Sequence, residues 1–214
     1  MKKLSLIFLY GLVLLIQGCS KDDVASVEDQ LIYETDFSNN DGSFWVGTEG
    51  KITIGIQDGS YYFLNDNTSG SFYVTLNALF ANVQKEGALE SSIQIKNTGG
   101  SNPGAGGIIF NRNRKNPSQV RFILNGLGMF KVDATSEGKD PELYQDWIEH
   151  PAIKKNQSNV FRVELRKDNY YFYINGKEVF TMGAKGAKNL DEVGYSVGYK
   201  TILQADYFKV TSLK

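Results

Sequence analysis

The residues best able to do covalent chemistry are scarce in this chain: 214 residues hold one cysteine, Cys19, and one histidine, His150. A thiol–imidazole pair would have only this one combination open to it, and no further motif supports it. His150 stands beside Pro151 and reads as an exposed loop residue. No serine nucleophile elbow, phosphate-binding loop or metal-spaced His/Cys cluster occurs. What remains is the chemistry of recognition. Trp45, Trp147, Tyr62, Tyr73, Tyr171 and Tyr173 offer flat apolar rings, and Asn111, Arg112 and Arg114 put planar polar groups in one loop beside the glycine-rich stretch 99–107. Rings flanked by amides and guanidinium groups are what a sugar-binding surface needs. The same rings are ordinary strand and core residues, so each also reads as packing.

Cys19 has a different setting. Lys2 and Lys3 precede an apolar stretch from Leu4 to Ile16, and Gly18 stands directly before the sulfur. The stretch is shorter than the roughly 20 residues of a spanning helix and has the form of a cleaved export signal over residues 1–18. Ile16-Gln17-Gly18-Cys19 resembles the bacterial lipobox, in which the thiol takes a thioether-linked diacylglycerol and the new N-terminus is acylated. Several acyl chains, at about 0.8 kcal/mol per buried CH₂, anchor stably where one does not. Residues 19–30 then form a lipidated cysteine and an acidic tether, reaching at most about 36 Å. Ser20-Lys21-Asp22-Asp23 resembles the export tag of surface lipoproteins in Bacteroidota, although acidic tethers are also common as plain linkers. The expected place is the outer membrane, facing the cell surface.

Removal of Lys2 and Lys3 leaves 21 basic against 24 acidic side chains, so no nucleic-acid partner is expected. A single cysteine allows no internal disulfide, and the fold must rest on its core.

The elements that position the recognition residues read as strands. Lys51–Ile56, Phe72–Leu76 and Val160–Arg166 alternate with period two; in the last, Phe161, Val163 and Leu165 face one way and Arg162, Glu164 and Arg166 the other. Asn125-Gly126 and Asn175-Gly176 read as two-residue hairpin turns, the second pairing Phe172 with Val179 and Tyr173 with Glu178. Residues 141–149 suit either a turn or two of helix or a strand-to-loop passage. In Val193–Tyr199, Val193, Tyr195, Val197 and Tyr199 share one face, and Gly194, Ser196 and Gly198 leave the other nearly bare for a ligand or a neighbouring backbone. An all-β, antiparallel sandwich over residues 31–214 follows.

Asp36-Phe37 with Trp45, then Gly107–Phe110, Trp147 with Pro151–Lys154, Phe161–Leu165, Phe172–Val179, Val193–Gly198 and Asp206–Val210 together resemble the concanavalin A-like, laminin G-like jelly rolls of bacterial envelope proteins. The resemblance implies a fold that carries lectins, carbohydrate-binding modules and glycosidases. The resemblance extends to glycosidases that carry Glu-x-Asp-x-x-Glu on one strand; the equivalent strand here, Ala88–Ile95, offers Glu90 alone. Separate loops could still bring two carboxylates to the required distance, about 5–9.5 Å. Trp147 aligns with a position that looks structural in the resembling modules. Asp36 and Asp206 would approach if the first and last strands pair, which raises a structural calcium as the one cofactor to consider. The reading is a membrane-anchored, non-catalytic module binding polysaccharide, with an envelope-protein partner or an unrecognised glycoside hydrolase as alternatives.

Overall fold

The computed structural model describes residues 29–76, 86–99, 101, 103–113, 118–136, 138–184 and 190–214. Among them every regular element is a β-strand. Cys19, most of its tether and Arg114 lie outside the described residues.

A nine-stranded sheet runs β13 (Lys177–Gly183), β12 (Asn169–Ile174), β11 (Asn159–Arg166), β6 (Gly87–Asn97), β15 (Thr201–Ser212), β4 (Ser60–Asn65), β3 (Ile52–Gln57) and β2 (Gly47–Glu49), with β1 (Gln30–Thr35) also on β15. On one side of β15, β4 pairs with residues 201–205 and β1 with residues 208–212. A bulge between Ala205 and Tyr207 marks the changeover. The smaller sheet has six strands, in the order β10 (Glu142–Glu149), β9 (Met129–Ser136), β8 (Ser118–Asn125), β7 (Ala105–Asn113), β14 (Gly194–Gly198) and β5 (Ser71–Thr75). All pairings are antiparallel.

Alternation decides which side chains meet between the sheets. Phe161, Val163 and Leu165 of β11 are fully buried, and so are Phe122 of β8 and Val132 of β9. Rings cross the interface: Phe122 meets Phe161 and Phe172 edge-on at 5.0 and 5.2 Å, and Phe110 lies 5.1 Å from Tyr170. Val193, Tyr195 and Val197 join this core as their spacing requires, and the Tyr195 hydroxyl is satisfied by Ser91 Oγ at 2.8 Å. Tyr199 does not join them; the strand has ended at Gly198 and its ring is exposed.

The two Asn-Gly turns differ. Asn175 and Gly176 both take positive φ, 50° and 73°, as a two-residue primed turn demands. Tyr173 pairs with Glu178, but a bulge shifts the next pair, so Phe172 stands opposite Phe180 and not Val179. Asn125-Gly126 does not close a hairpin in two residues. Leu124 pairs with Phe130, the positive φ falls at Gly128 (82°), and Asn125 Oδ1 accepts from the amides of Leu127 and Met129. Residues 142–149 are a strand, bulged twice against β9. His150 is half-buried rather than exposed, its Nδ1 accepting from the Ala152 amide and its ring set edge-on to Phe130.

Candidate functional site

The sequence-derived candidates do not converge on one place. Tyr171 and Tyr173 lie on the outer face of the large sheet, opposite Glu164 and Arg162 of β11. Trp45 precedes β2 at that sheet's far edge; its ring covers Gly47 and its carbonyl accepts from the Tyr61 hydroxyl. Asn111, at the irregularity in β7 between Phe110 and Asn113, has positive φ and donates to Tyr170 Oη at 2.7 Å, its Oδ1 buried without a hydrogen-bond partner. Arg112 and Trp147 do belong to one surface, the outer face of the small sheet.

That surface is built by alternation across the sheet's six strands. Phe122 and Leu124 of β8 go to the core, so Arg121 and Ile123 point outward; in β9, Phe130 and Val132 go inward and Lys131 and Asp133 outward. The register sets Arg121 directly opposite Asp133, and Ile123 opposite Lys131. Arg121 donates to both carboxylate oxygens, Nε to Oδ1 at 2.7 Å and Nη2 to Oδ2 at 2.6 Å. Lys131 Nζ lies 3.1 Å from the same Oδ2 and 5.8 Å from the Trp147 ring. Burial works against the charge on Arg121, yet hydrogen bonding and attraction to Asp133, with a smaller share from Tyr73, hold its pKa above the ordinary arginine value.

Beside this cluster the floor drops. β14 and β7 contribute Ser196, Gly198 and Ala105, which leave a depression of about 210 Å³ rimmed by Trp147 and Tyr199. Tyr73 of β5, paired with Ser196, stands further along with Arg112 5.9 Å over its ring. The bare strip of the sequence has two uses. At Gly194 a methyl group would run into the Val74 carbonyl, and at Gly107 into that of Phe122, so these glycines admit neighbouring backbone. Only the stretch at Ser196 and Gly198 opens to the depression. A larger cavity, about 570 Å³, opens at one end of the sandwich between Lys96, Pro103 and Leu127, and the described residues that line it include no aromatic ring.

The remaining polar candidates are accounted for on the large sheet. Glu90 does not line a cleft: β6 runs in the middle of the nine strands, Leu89, Ser91 and Ile93 face the core, and Glu90 faces outward, bonded to Arg162 and to the Tyr207 hydroxyl. Burial, and then the hydrogen bond to Glu90, raise the Tyr207 pKa well above the tyrosine range. β1 and β15 pair as the resemblance implied, but the two aspartates have separate duties. Asp36 accepts from the Ser38 amide in its own turn, and Asp206, at the bulge, accepts from Ser92 Oγ at 2.6 Å and Ser60 Oγ at 3.4 Å. Among the described residues no group of three or more His, Cys, Asp or Glu is placed to hold a metal ion.

The sequence matches no protein-family model and no curated protein. Solved structures do match. The carbohydrate binding module CBM66 from Bacillus subtilis superposes with a TM-score of 0.56 at 16% identity, covering 76% of this chain and 91% of that one. The β-glucanase of Bacillus licheniformis gives 0.59 at 8% identity over 86% and 99%. The κ-carrageenase of Pseudoalteromonas carrageenovora, in complex with an oligotetrasaccharide of κ-carrageenan, gives 0.57 at 10% identity over 90% and 99%. At such identities the likeness is one of fold, and the fold is the concanavalin A-like jelly roll. Binding modules and hydrolases share it, so function has to be argued from the surface itself.

Proposed function

We propose that this chain is a polysaccharide-binding module without catalytic activity, anchored by lipid at Cys19 to the outer membrane and facing the cell surface. The observation that carries the reading is the small sheet's outer face, where the half-exposed Trp147 and the exposed Tyr199 flank a floor of serine, glycine and alanine. Such a floor lets a sugar ring come down between two aromatic rims. Lack of catalysis is supported by the fate of the carboxylates. Asp133 is wholly buried beneath two cations, and Glu90 is bound to Arg162 and Tyr207 on the opposite sheet. Asp133 has no exposed oxygen to offer a glycosidic bond, and Glu90 is held as an ion-pair partner. The fold neighbours named above, a binding module and two hydrolases of polysaccharides, are consistent with a carbohydrate ligand.

A glycan array followed by affinity electrophoresis in polysaccharide gels tests the reading, with retention expected for the wild type and weakened about tenfold in Trp147→Ala at an unchanged melting temperature. Cys19→Ala should leave the β-sheet circular dichroism intact and move the protein out of the detergent phase. A second reading, a protein-interaction module of an envelope assembly, is favoured by Leu143 and Ile148, 52% and 46% exposed on the edge strand β10. It gains ground if no glycan is retained and Leu143→Asp abolishes co-purification with an envelope protein.

A further inference from the structure

The charge beneath the depression does not balance. Among the described residues, Asp133 is the one carboxylate paired with both Arg121 and Lys131, so the cluster carries one positive charge in excess. All three side chains are sunk: 12% of Arg121, 14% of Lys131 and none of Asp133 is exposed. Removing charge from water without a counter-ion is costly, and a fold has no structural need for the second cation once Arg121 holds Asp133 by two hydrogen bonds. Nor is the excess a reflection of a basic protein, since the whole chain carries a formal net charge of −1. Arg112, over Tyr73, adds a further cation along the same face.

Resting on the polysaccharide reading above, we propose that this depression takes an anionic substituent of the polymer, a uronate carboxylate or a sulfate ester, with the sugar ring against Trp147. Arg121 has two of its donors fixed on Asp133, which holds the guanidinium in place. The Lys131 ammonium has three donors and lies at both Asp133 and the lining of the depression, so it is the group that meets the ligand. The volume, about 210 Å³, is below the roughly 300–1,000 Å³ of sites that enclose a drug-sized ligand. It therefore seats one substituted sugar at a time, and the rest of the polymer lies outside.

Affinity electrophoresis of the purified chain separates the possibilities, using polygalacturonate and alginate for carboxylate, κ-carrageenan for sulfate ester, and dextran and laminarin as neutral polymers. One charged class should retard the wild type, with retention falling as salt rises. Which class does so assigns the substituent. Lys131→Gln removes the excess charge and leaves the Arg121–Asp133 pair, and retention should fall about tenfold; Lys131→Arg should keep it. The comparison of charged with neutral polymers needs no variant, so it decides even if Lys131→Gln folds poorly. Equal, salt-insensitive retention on dextran or laminarin overturns the anionic proposal and leaves polysaccharide binding standing. Retention by none of the five overturns both.

Discussion

The sandwich has two outer faces, and both carry tyrosines, arginines and carboxylates. On the large sheet the charges form a level ladder: Glu90–Arg162–Glu164–Arg166 crosses β6 and β11, and Lys209 pairs with Glu34. Three cations meet three carboxylates, each partner is another strand residue, and Tyr171 and Tyr173 lie on this sheet beside the ladder. On the small sheet two cations share one carboxylate, all three are sunk, and glycine, alanine and serine beside them leave a hollow. The presence of aromatic and charged residues therefore says little. What separates a binding surface from a stable wet face is an imbalance of charge set next to missing side-chain volume.

The largest difference between the faces should appear on removing one carboxylate from each. Asp133→Ala strands two buried cations and should cost about 3–5 kcal/mol. Glu164→Ala leaves Arg162 its bond to Glu90 and should cost about 1 kcal/mol or less, because both arginines left behind, 26% and 41% exposed, still reach water. Urea melts of the two variants check this. Equal losses would mean that the Asp133 cluster is no more desolvated than the ladder.

Glycines offer the next comparison. Gly194→Ala on the small sheet must displace the Val74 carbonyl and should cost about 1–3 kcal/mol by overpacking. Gly55, on the large sheet's outer face opposite Tyr62, has nothing within 4 Å of the point where a methyl group would stand. Gly55→Ala should fall within about 0.5 kcal/mol of wild type. A neutral Gly194→Ala, measured by thermal melting, would mean that the strip is bare for a ligand along its whole length and not for the neighbouring strand.

Ligand binding should discriminate the faces less steeply. Trp147→Ala is expected to weaken polysaccharide retention about tenfold, or roughly 1.4 kcal/mol, while Tyr173→Ala changes nothing. The opposite result would move the site to the large sheet, to the face that carries Tyr171 and Tyr173.

The scatter of the sequence candidates over both sheets has a physical origin. Period-two alternation tells which residues leave the core but not which of two sheets they leave it from, so Tyr171 and Tyr173 looked equivalent to Tyr73 and Trp147. The core side of β11, the Asn175-Gly176 turn and the sandwich itself were legible, because each depends on local pattern and φ preference. The Arg121–Asp133 pair was hidden by the other turn. Closing the hairpin on Asn125-Gly126 would pair Leu124 with Leu127 and bring Phe130 opposite Arg121. The longer loop, closed by the Asn125 side chain and the positive φ of Gly128, shifts the register by three residues and brings Asp133 there instead. Gly128 was the available signal, since a second glycine after Asn-Gly is what a turn ending in a left-handed residue requires. The bulge at Val179 and the depression itself depend on contacts between distant strands, which no local pattern reports.

The smallest expected effect concerns pH and the balanced face. Burial tends to raise the Glu164 pKa, but hydrogen bonds from Arg166 and Arg162, with their charges, outweigh it and hold the carboxyl below its ordinary value of 4.5. A carboxyl depressed in the folded state stabilises the fold fully above its unfolded pKa, and that contribution is lost as pH falls through the folded value. Glu164→Gln should therefore lower stability slightly at pH 7, by under about 1 kcal/mol given the partial exposure of both arginines. The deficit should vanish once acid has protonated the wild-type carboxyl, so the urea midpoints of wild type and variant converge below the ordinary carboxylate range. If the gap instead persists unchanged into strong acid, Glu164 contributes through packing and the ladder is not electrostatic. A gap as large as that of Asp133→Ala at pH 7 would erase the distinction between the two faces.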